Sequence, residues 1–333
     1  MTVLTPNPAI DITYRVSRQR IGSTVRVLEV LRRAGGKGIN VARVLRSLGI
    51  EVAAVQPLGG AAGEWIHTRL LAEGISAHSI PITEQTRSTV TVVDDVEHPT
   101  VLAEPGPHVP EEAWARLCER VRLTCHDGGI LVISGSLPPG AAPARISDLI
   151  AAGRGAGARV IVDVSGPALL AAAAAGADLL KPNAEEALQA TGAQQVDAAI
   201  AQLLHAGARS IVLSQGRGGL LAVDSHGRRL HQGAVPDVTG NPTGAGDAAT
   251  AGIAVAWARG AALPVALHWA SLLGAAAVLR PSAGEIDLAD LSSLAERLPT
   301  PPSTSPASSL PAPIPAPMPT HPLEGPLAGP AAG

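Results

Sequence analysis

The stretch AGGKGINVARVLRSLG at residues 34–49 is typical of a glycine turn that opens directly into a helix. The turn leaves backbone N–H groups free at the helix N-terminus, with Lys37 beside them, so it can bind a sugar hydroxyl or a phosphate. A tight turn with an exposed lysine is the alternative. The chain contains neither a Walker A loop nor a G-x-G-x-x-G loop after a strand, which argues against P-loop and dinucleotide-binding enzymes. Apolar residues at helical spacing predict one buried face: Ile39, Val41, Val44, Leu45 and Leu48.

Residues 241–252, NPTGAGDAATAG, repeat this architecture near the other end of the chain. Gly244, Ala245 and Gly246 can present backbone donors to the charge that develops on a phosphate during its transfer. Asp247 follows within reach of a hydroxyl that approaches this phosphate, as a general base requires. An acid in the first turn also stabilises a helix through the helix dipole. This stretch alone therefore leaves open whether Asp247 is a base or a helix cap.

Between these two motifs, short aliphatic runs alternate with helical patterns. Strand, helix and strand at this spacing predict βαβ units and a parallel sheet, in which ligands bind beyond the carboxyl ends of the strands. The predicted strands cover 51–59, 129–135, 158–165, 177–183 and 209–216. The predicted helices cover 38–48, 62–73, 110–123, 142–155, 184–191, 196–206, 245–259 and 264–279.

Two stretches break this alternation. Residues 12–33 and 87–104 alternate β-branched and polar residues with no helix inside them. The pattern predicts antiparallel strands with one face in water. We expect them to form a small sheet that lies over the active face as a lid.

Polar residues follow several predicted strands, at the edge where a ligand would bind. One strand end is a weak signal, but several that converge on one edge are hard to explain as turns. Asn183 and Glu186 also lie one helical turn apart, where they could orient a hydrated Mg²⁺. The groups are Asn7 and Asp11 in TPNPAID, the turn SGSLPPG at 134–140, Lys181, Asn183 and Glu186 in KPNAEE, and Ser214 and Gly216 in LSQGRGGL.

Composition narrows the class of protein. The 333 residues carry a formal net charge of −3, with no basic stripe of the kind that nucleic-acid binding needs. No apolar run reaches the roughly 20 residues of a membrane span, and the first residues do not resemble a signal peptide, so we expect a cytoplasmic protein. Cys118 and Cys125 lack the spacing of a zinc site and are interpreted as reduced thiols.

The last 35 residues differ from the rest of the chain. Residues 299–333 are rich in Pro, Ala and Ser and have few large apolar side chains. Such a segment buries too little apolar surface to offset the entropy of ordering, so we predict a disordered tail that follows a domain of residues 1–298. A spacer is the favoured role, and a Pro-rich ligand for a partner is the alternative.

The paired motifs GGKGIN and GAGD resemble the two signatures of the PfkB, or ribokinase-like, carbohydrate kinases. The motifs TPNPAID, EPGP, SGSLPPG, VDVSG and KPNAEE, together with Arg87, are similar to those of the branch that contains 1-phosphofructokinase, tagatose-6-phosphate kinase and the minor 6-phosphofructokinase. The resemblance extends over residues 1–298. It implies a three-layer α/β/α sandwich with a mostly parallel central sheet, and a small β-sheet lid that forms a homodimer contact.

The resemblance also implies a role for each matching residue. Asp247 would be the catalytic base, and Gly244, Ala245 and Gly246 would form the anion hole. Arg87 would hold the phosphate that the sugar already carries, and Glu186 would bind Mg²⁺ through water. The rest of the sugar site would be Asp11, Gly36, Lys37, Asn40 and Ser136, and the ATP site would include Lys181, Asn183, Ser214 and Gly216.

The activity implied is ATP-dependent phosphorylation of a ketohexose monophosphate. Fructose 1-phosphate is the first choice of acceptor, with tagatose 6-phosphate and fructose 6-phosphate as alternatives, because each offers a phosphate and a free hydroxymethyl group. A non-catalytic sensor of sugar phosphates is the alternative from another class, and the intact Asp247 argues against it. Two departures concern the lid: only Arg26 could replace a lysine that some relatives carry there, and residues 94–99 are unusually acidic.

Overall fold

The computed structural model describes residues 1–20, 22–94 and 99–300. Most of the acidic stretch at 94–99 and all but two residues of the predicted tail lie outside this range. Thirteen strands occur in the described part of the chain: β1 (Thr2–Leu4), β2 (Ala9–Val16), β3 (Val27–Gly35), β4 (Ala53–Gly59), β5 (Ser76–Ile82), β6 (Arg87–Val93), β7 (Thr100–Ala103), β8 (Ile130–Ser134), β9 (Arg159–Asp163), β10 (Leu179–Leu180), β11 (Ser210–Ser214), β12 (Leu220–Asp224) and β13 (Arg229–Gln232).

Ten α-helices occur in the same part of the chain. None of the described helices is long and apolar enough to cross a membrane. They are α1 (Lys37–Ser47), α2 (Gly60–Ala72), α3 (Glu111–Thr124), α4 (Ala144–Gly155), α5 (Pro167–Ala174), α6 (Ala184–Thr191), α7 (Val196–Ala206), α8 (Ala245–Ala258), α9 (Leu263–Val278) and α10 (Asp290–Arg297).

The large sheet confirms the predicted three-layer α/β/α sandwich. Its strand order, within the described residues, is β13-β12-β11-β10-β9-β8-β1-β4-β5, and the pairs are parallel except at the β11-β12-β13 edge. Side chains alternate between two separate cores: Val132 packs with α1, α8 and α9, whereas Leu131 and Ile133 pack with α3, α4, α5 and α7. Both faces of the sheet are covered, as its nearly continuous aliphatic strands require.

The strand order reverses at β1, which lies between β4 and β8. Loops that leave the carboxyl ends of two such strands run in opposite directions and open a crevice between them. Asn7 follows β1, and Ser136 follows β8. The crevice expected of an open α/β sheet is therefore located between these two loops.

The small sheet is present, but its predicted antiparallel arrangement is only partly correct. Its order is β3-β2-β6-β7, and β2 pairs with β6 in parallel, from Ala9 opposite Arg87 to Arg15 opposite Val93. The chain builds α1, β4, α2 and β5 between β3 and β6, so β6 returns along β2 in the same direction. The sheet also begins earlier than the prediction, at Ala9, and β3 ends later, at Gly35.

Several elements have no counterpart in the prediction. Helix α5 reads PALLAAAA, which is apolar on all sides and shows no helical period. Strand β5 is an edge strand that contains Pro81, and the β12-β13 hairpin reverses the chain at the opposite edge. These elements extend or cover the sheet without contributing the predicted site residues.

Candidate active site

Asp247 lies in the first turn of α8 and is only 6% exposed. Helix α8 begins after Gly244, whose φ of +84° lies in the left-handed region that glycine adopts without strain. A Cβ at Gly244 would come within 2.8 Å of Ala283, so this position also has no space for a side chain. The turn thereby places a carboxylate at a helix N-terminus without exposing it to solvent.

The backbone donors of this turn differ slightly from the predicted set. The N–H of Ala245 donates to the Pro242 carbonyl at 3.2 Å and is therefore engaged within the turn. The N–H groups of Gly244, Gly246 and Asp247 find no acceptor among the described residues. Three orphan donors at a helix N-terminus form an anion site, and one of them is the N–H of Asp247 itself.

Asn40 holds the Asp247 carboxylate in place. Its Nδ2 donates to Asp247 Oδ2 at 2.9 Å, and the amide is oriented by Arg43, which donates to Asn40 Oδ1 at 3.3 Å. Asn40 lies one turn inside α1, and Gly38 lets that helix approach β1 closely. A Cβ at Gly38 would lie 2.3 Å from Thr5 Oγ1. The GGKGIN motif thus supplies both the close packing and the amide that contacts the carboxylate.

The environment raises the pKa of Asp247 to about 7. Burial is the largest cause, followed by the negative charge of Asp163. The hydrogen bond from Asn40 and the charges of Lys37 and Lys181 lower this pKa, but do not cancel the increase. A carboxylate with a pKa near neutrality is matched to accepting a proton at that pH.

Both lysines of the chain contact the same carboxylate. Lys37 Nζ lies 3.2 Å from Asp163 Oδ1, and Lys181 Nζ lies 3.0 Å from Asp163 Oδ2. All other positive side chains in the sequence, apart from histidines, are arginines. An ammonium is a compact point charge, so two of them can approach the two oxygens of one carboxylate.

Asp163 and Lys37 stabilise each other's charged form. Burial alone would raise the pKa of Asp163, but Lys181 and Lys37 hold it below its usual range. Burial would lower the pKa of Lys37, yet Asp163, Glu186 and Asp247 together raise it. A Cβ added at Gly246 would lie 3.5 Å from Lys181 Nζ, so this ammonium lies beside the glycine turn. Positive charge and free N–H donors are therefore adjacent.

Asn183 and Glu186 form a capping box at the start of α6. Asn183 Oδ1 accepts from the Glu186 N–H at 2.7 Å, and Glu186 Oε2 accepts from the Asn183 N–H at 2.9 Å. Glu186 Oε1 also lies 3.1 Å from Lys37 Nζ, which joins this helix end to the lysine cluster. Ser214 forms a β-bridge with Asn183, and Gly216 begins a short 3₁₀ turn with φ of +56°.

The residues present fit a Mg²⁺ that is held mainly by a nucleotide. No group of three or more His, Cys, Asp or Glu is placed to hold a metal within residues 1–20, 22–94 and 99–300. Mg²⁺ commonly keeps several waters and is bound through one or two carboxylates and substrate phosphates, so such a group is not required. The Glu186 carboxylate uses two of its roughly four acceptor positions and retains two for metal-bound water.

Arg87 is the first residue of β6 and contacts backbone carbonyls. Its Nη2 donates to the Asn7 carbonyl at 3.2 Å and its Nη1 to the Glu104 carbonyl at 2.9 Å. No carboxylate in the described range lies within ion-pair distance of this guanidinium. Burial lowers the pKa of Arg87, and the charges of Asp11 and Glu104 oppose that effect. Arg87 therefore offers a partly buried positive charge without a close counter-ion.

Asp11, Gly36, Asn7 and Ser136 lie in the same region. Burial raises the pKa of Asp11, while Arg87, Arg43 and the Gly36 N–H, which donates to the carboxylate, lower it. Asn7 Nδ2 lies 3.5 Å from Ser136 Oγ and donates to the Pro105 carbonyl at 3.0 Å. Asn7 Oδ1 is buried without a partner among the described residues, so this loop junction retains an unused acceptor.

A family model for pfkB family carbohydrate kinases matches residues 5–289. The chain belongs to the PfkB family of carbohydrate kinases. Phosphofructokinase-2 from Escherichia coli is 31% identical, with a TM-score of 0.83, over 89% of this chain and 98% of that one. A possible 1-phosphofructokinase from Thermotoga maritima is 21% identical, with a TM-score of 0.78 over 90% and 98%. Arabidopsis thaliana ribokinase with ribose and ATP is 22% identical, with a TM-score of 0.71 over 89% and 98%.

Within this PfkB kinase, the structure brings most of the sequence-predicted residues into two connected groups. The first joins Asp247 and Asn40 to the lysine cluster and the α6 N-terminus. The second gathers the residues expected to hold the sugar around Arg87. Lys37 was assigned to the sugar site, but its ammonium contacts Asp163 and Glu186 rather than the Arg87 group.

Asp163 and Thr250 are the residues that the sequence did not single out. Asp163 is wholly buried at the end of β9, and Thr250 Oγ1 donates to its Oδ2 at 3.2 Å. An acid inside an otherwise aliphatic strand, in VDVSG, was the available signal. Its importance follows from two lysines that lie 18 residues after it and 126 residues before it, which sequence spacing does not reveal.

Proposed function

We propose that this kinase transfers the γ-phosphoryl group of ATP to the free hydroxymethyl group of a ketohexose monophosphate. The observation that carries the proposal is Asp247: a buried carboxylate whose pKa is raised to about 7, next to orphan N–H donors at a helix N-terminus. Phosphoryl transfer needs this combination, since the nucleophile loses a proton while charge develops on the phosphate.

In the proposed reaction, Asp247 accepts a hydrogen bond from the acceptor hydroxyl. As that oxygen bonds to the γ-phosphorus, the bond to the ADP oxygen breaks and the hydroxyl proton passes to Asp247. The N–H groups of Gly246 and Asp247, with Lys181 beside them, stabilise the charge on the transferred group. Mg²⁺ bound to the nucleotide near Glu186 would neutralise phosphate charge and help orient ATP.

Arg87 supports a phosphorylated acceptor over a free sugar. Its guanidinium is bound only through backbone carbonyls, so its charge has no ion-pair partner in the described structure. A phosphate on the sugar would supply that partner through two parallel hydrogen bonds. Lys37 is committed to carboxylates, which leaves Arg87 as the principal clamp.

For the acceptor itself, we propose fructose 1-phosphate, with fructose 6-phosphate as the second candidate. The second is favoured by a specific observation: the phosphofructokinase-2 from Escherichia coli, 31% identical to this chain, was solved in complex with fructose-6-phosphate. Both acceptors lead to the same fructose 1,6-bisphosphate. Tagatose 6-phosphate is the third member of the panel.

A coupled assay of ADP release with Mg-ATP tests this proposal against fructose 1-phosphate, fructose 6-phosphate, tagatose 6-phosphate and free fructose. We expect one phosphosugar to exceed fructose in kcat/KM by about two orders of magnitude or more, because the Arg87 contact to phosphate is charge-assisted. Arg87→Ala should raise KM for phosphosugars and leave that for fructose nearly unchanged. Arg122→Ala, on an exposed part of α3, is the matched control. Equal losses with phosphorylated and free sugar in Arg87→Ala would refute the clamp.

We also propose a homodimer through the lid. Large apolar side chains are exposed on its strands, with Leu28 59% and Leu102 60% exposed. Such side chains usually mark an interaction surface when they are contiguous. Leu28→Asp with Leu102→Asp should lower the mass measured by light scattering to that of one chain, while Leu123→Asp on α3, 65% exposed, should leave it unchanged. A wild-type mass of one chain would contradict the proposal.

A further inference from the structure

A cleft of about 660 Å³ lies where the end of β3 meets α1 and α2. Its walls include Leu31 and Ala34 from β3, Ser47 from α1 and Trp65 from α2. None of the residues assigned above to the sugar, the nucleotide or the proton transfer lines it. It is therefore separate from the proposed active site.

The lining of this cleft is strongly positive. It holds five arginines and two glutamates, a difference of three positive charges, in a chain whose net charge is −3. Like charges that surround one cavity repel one another and favour an anion that enters it. The residues are Arg32, Arg33, Arg43, Arg46 and Arg69, with Glu73 and Glu285.

Ion pairs inside the cleft leave most of this charge uncompensated. Arg33 pairs with Glu285, and Arg43 Nε lies 2.9 Å from Glu73 Oε2. The side chains of Arg32 and Arg46 make no hydrogen bond or ion pair with any residue of the described ranges. The Nε of Arg33 is buried and, within the described structure, has no acceptor. N–H donors of Arg32, Arg46 and Arg33 are therefore available to a ligand in the cleft.

One wall combines charge with an aromatic ring. The Arg69 guanidinium lies 5.4 Å from the centre of the Trp65 ring, within the range of a cation–π contact. Trp65 is partly exposed, whereas Trp114, Trp257 and Trp269 are at most 8% exposed. An anion drawn to Arg69 would change the surroundings of Trp65 more than those of any other tryptophan.

We propose that this cleft binds a small oxyanion with several negative charges, a phosphorylated or polycarboxylic metabolite, at a site distinct from the active site. Guanidinium groups present fixed pairs of N–H donors that match phosphate and carboxylate oxygens, and several of them converge here. Three excess positive charges favour an anion with two or more negative charges. The volume of about 660 Å³ lies in the range of small-molecule sites.

The test uses tryptophan fluorescence of the full chain, with pyrophosphate and citrate titrated in separate arms. Both arms are run with saturating MgADP, so that the nucleotide site is occupied. We expect a saturable change with at least one anion, and the stronger binder identifies phosphate or carboxylate as the preferred source of charge. Trp65→Phe should abolish the fluorescence change while calorimetry still detects binding.

Arg32→Ala with Arg46→Ala should raise the Kd by about tenfold or more, because each lost guanidinium removes charge-assisted hydrogen bonds. Both side chains are exposed and unpaired in the described structure, so the fold should tolerate their removal, which the melting temperature checks. Arg122→Ala is the control for charge alone. An unchanged Kd in the double variant, or no saturable binding of either anion in the presence of MgADP, would each overturn the proposal. The readout does not involve turnover, so it is independent of the acceptor sugar.

Discussion

Replacing the Asp247 carboxylate with an amide is expected to stabilise the folded chain, increasingly so as the pH rises. The pKa of Asp247 is raised from 3.8 to about 7 in the folded state, so the folded state binds a proton more tightly than the unfolded chain. The contribution of this group to the free energy of unfolding is therefore fully present below pH 3.8, and it is lost as the pH rises through 7. Asp247→Asn removes that penalty and keeps an oxygen that can accept from Asn40.

The size of the effect follows from the shift. At 1.36 kcal/mol per pKa unit, the gain from Asp247→Asn is about 2 kcal/mol at pH 5 and about 4 kcal/mol at pH 8, as upper values. Denaturant unfolding of both chains at the two pH values measures it, with Asp148→Asn, at an exposed position on α4, as the control. A gain that does not grow between pH 5 and pH 8, or a loss of stability at pH 8, would refute the argument that burial and Asp163 strain this carboxylate.

Three further changes test neighbouring parts of the account. Asp163→Asn should lower the apparent pKa of the acidic limb in the pH profile of kcat/KM. The substitution removes a negative charge that raises the pKa of Asp247, and it frees two lysines that lower this pKa. An apparent pKa that stays near 7 would contradict this. Gly244→Ala should destabilise the fold by about 1–3 kcal/mol more than Gly260→Ala, since both have positive φ but only Gly244 has backbone within 3 Å of the added Cβ. Deleting residues 301–333 should leave the melting temperature unchanged, whereas deleting 299–333 should lower it, because the buried Gln232 donates to the Pro299 carbonyl at 2.9 Å; equal melting temperatures would show that this contact contributes nothing.

The sandwich could be predicted from sequence because its strands and helices have distinct local patterns. Aliphatic runs of strand length, each ended by a turn residue, alternate with helical periods from residue 51 onward. Helix α5 was missed since a uniformly apolar run carries no period, and the parallel pairing of β2 with β6 was missed since local alternation does not record strand direction. Direction depends on the path of the chain between the strands.

The site could be predicted only in part, for a similar reason. The glycine turn at 241–252 identifies Asp247 as a candidate, the resemblance to the PfkB kinases adds Asn40, and the structure brings the two side chains to 2.9 Å. The raised pKa of Asp247 arises from burial and from Asp163, which is 84 residues away in sequence. Asp163 likewise contacts both lysines only because the fold brings together the end of β9, the start of α1 and the residue after β10. Tertiary electrostatics of this kind have no local sequence signal.

The measurement that tests the central claim most directly is the rate of phosphoryl transfer in Asp247→Asn. With Mg-ATP and the preferred phosphosugar, kcat should fall by about 10²–10⁴-fold, the range that a general base contributes, while the Kd for the sugar stays within about threefold of wild type. The variant should remain folded, as its unfolding curve will show. A kcat near that of the wild type would contradict the assignment of Asp247 as the base that receives the hydroxyl proton.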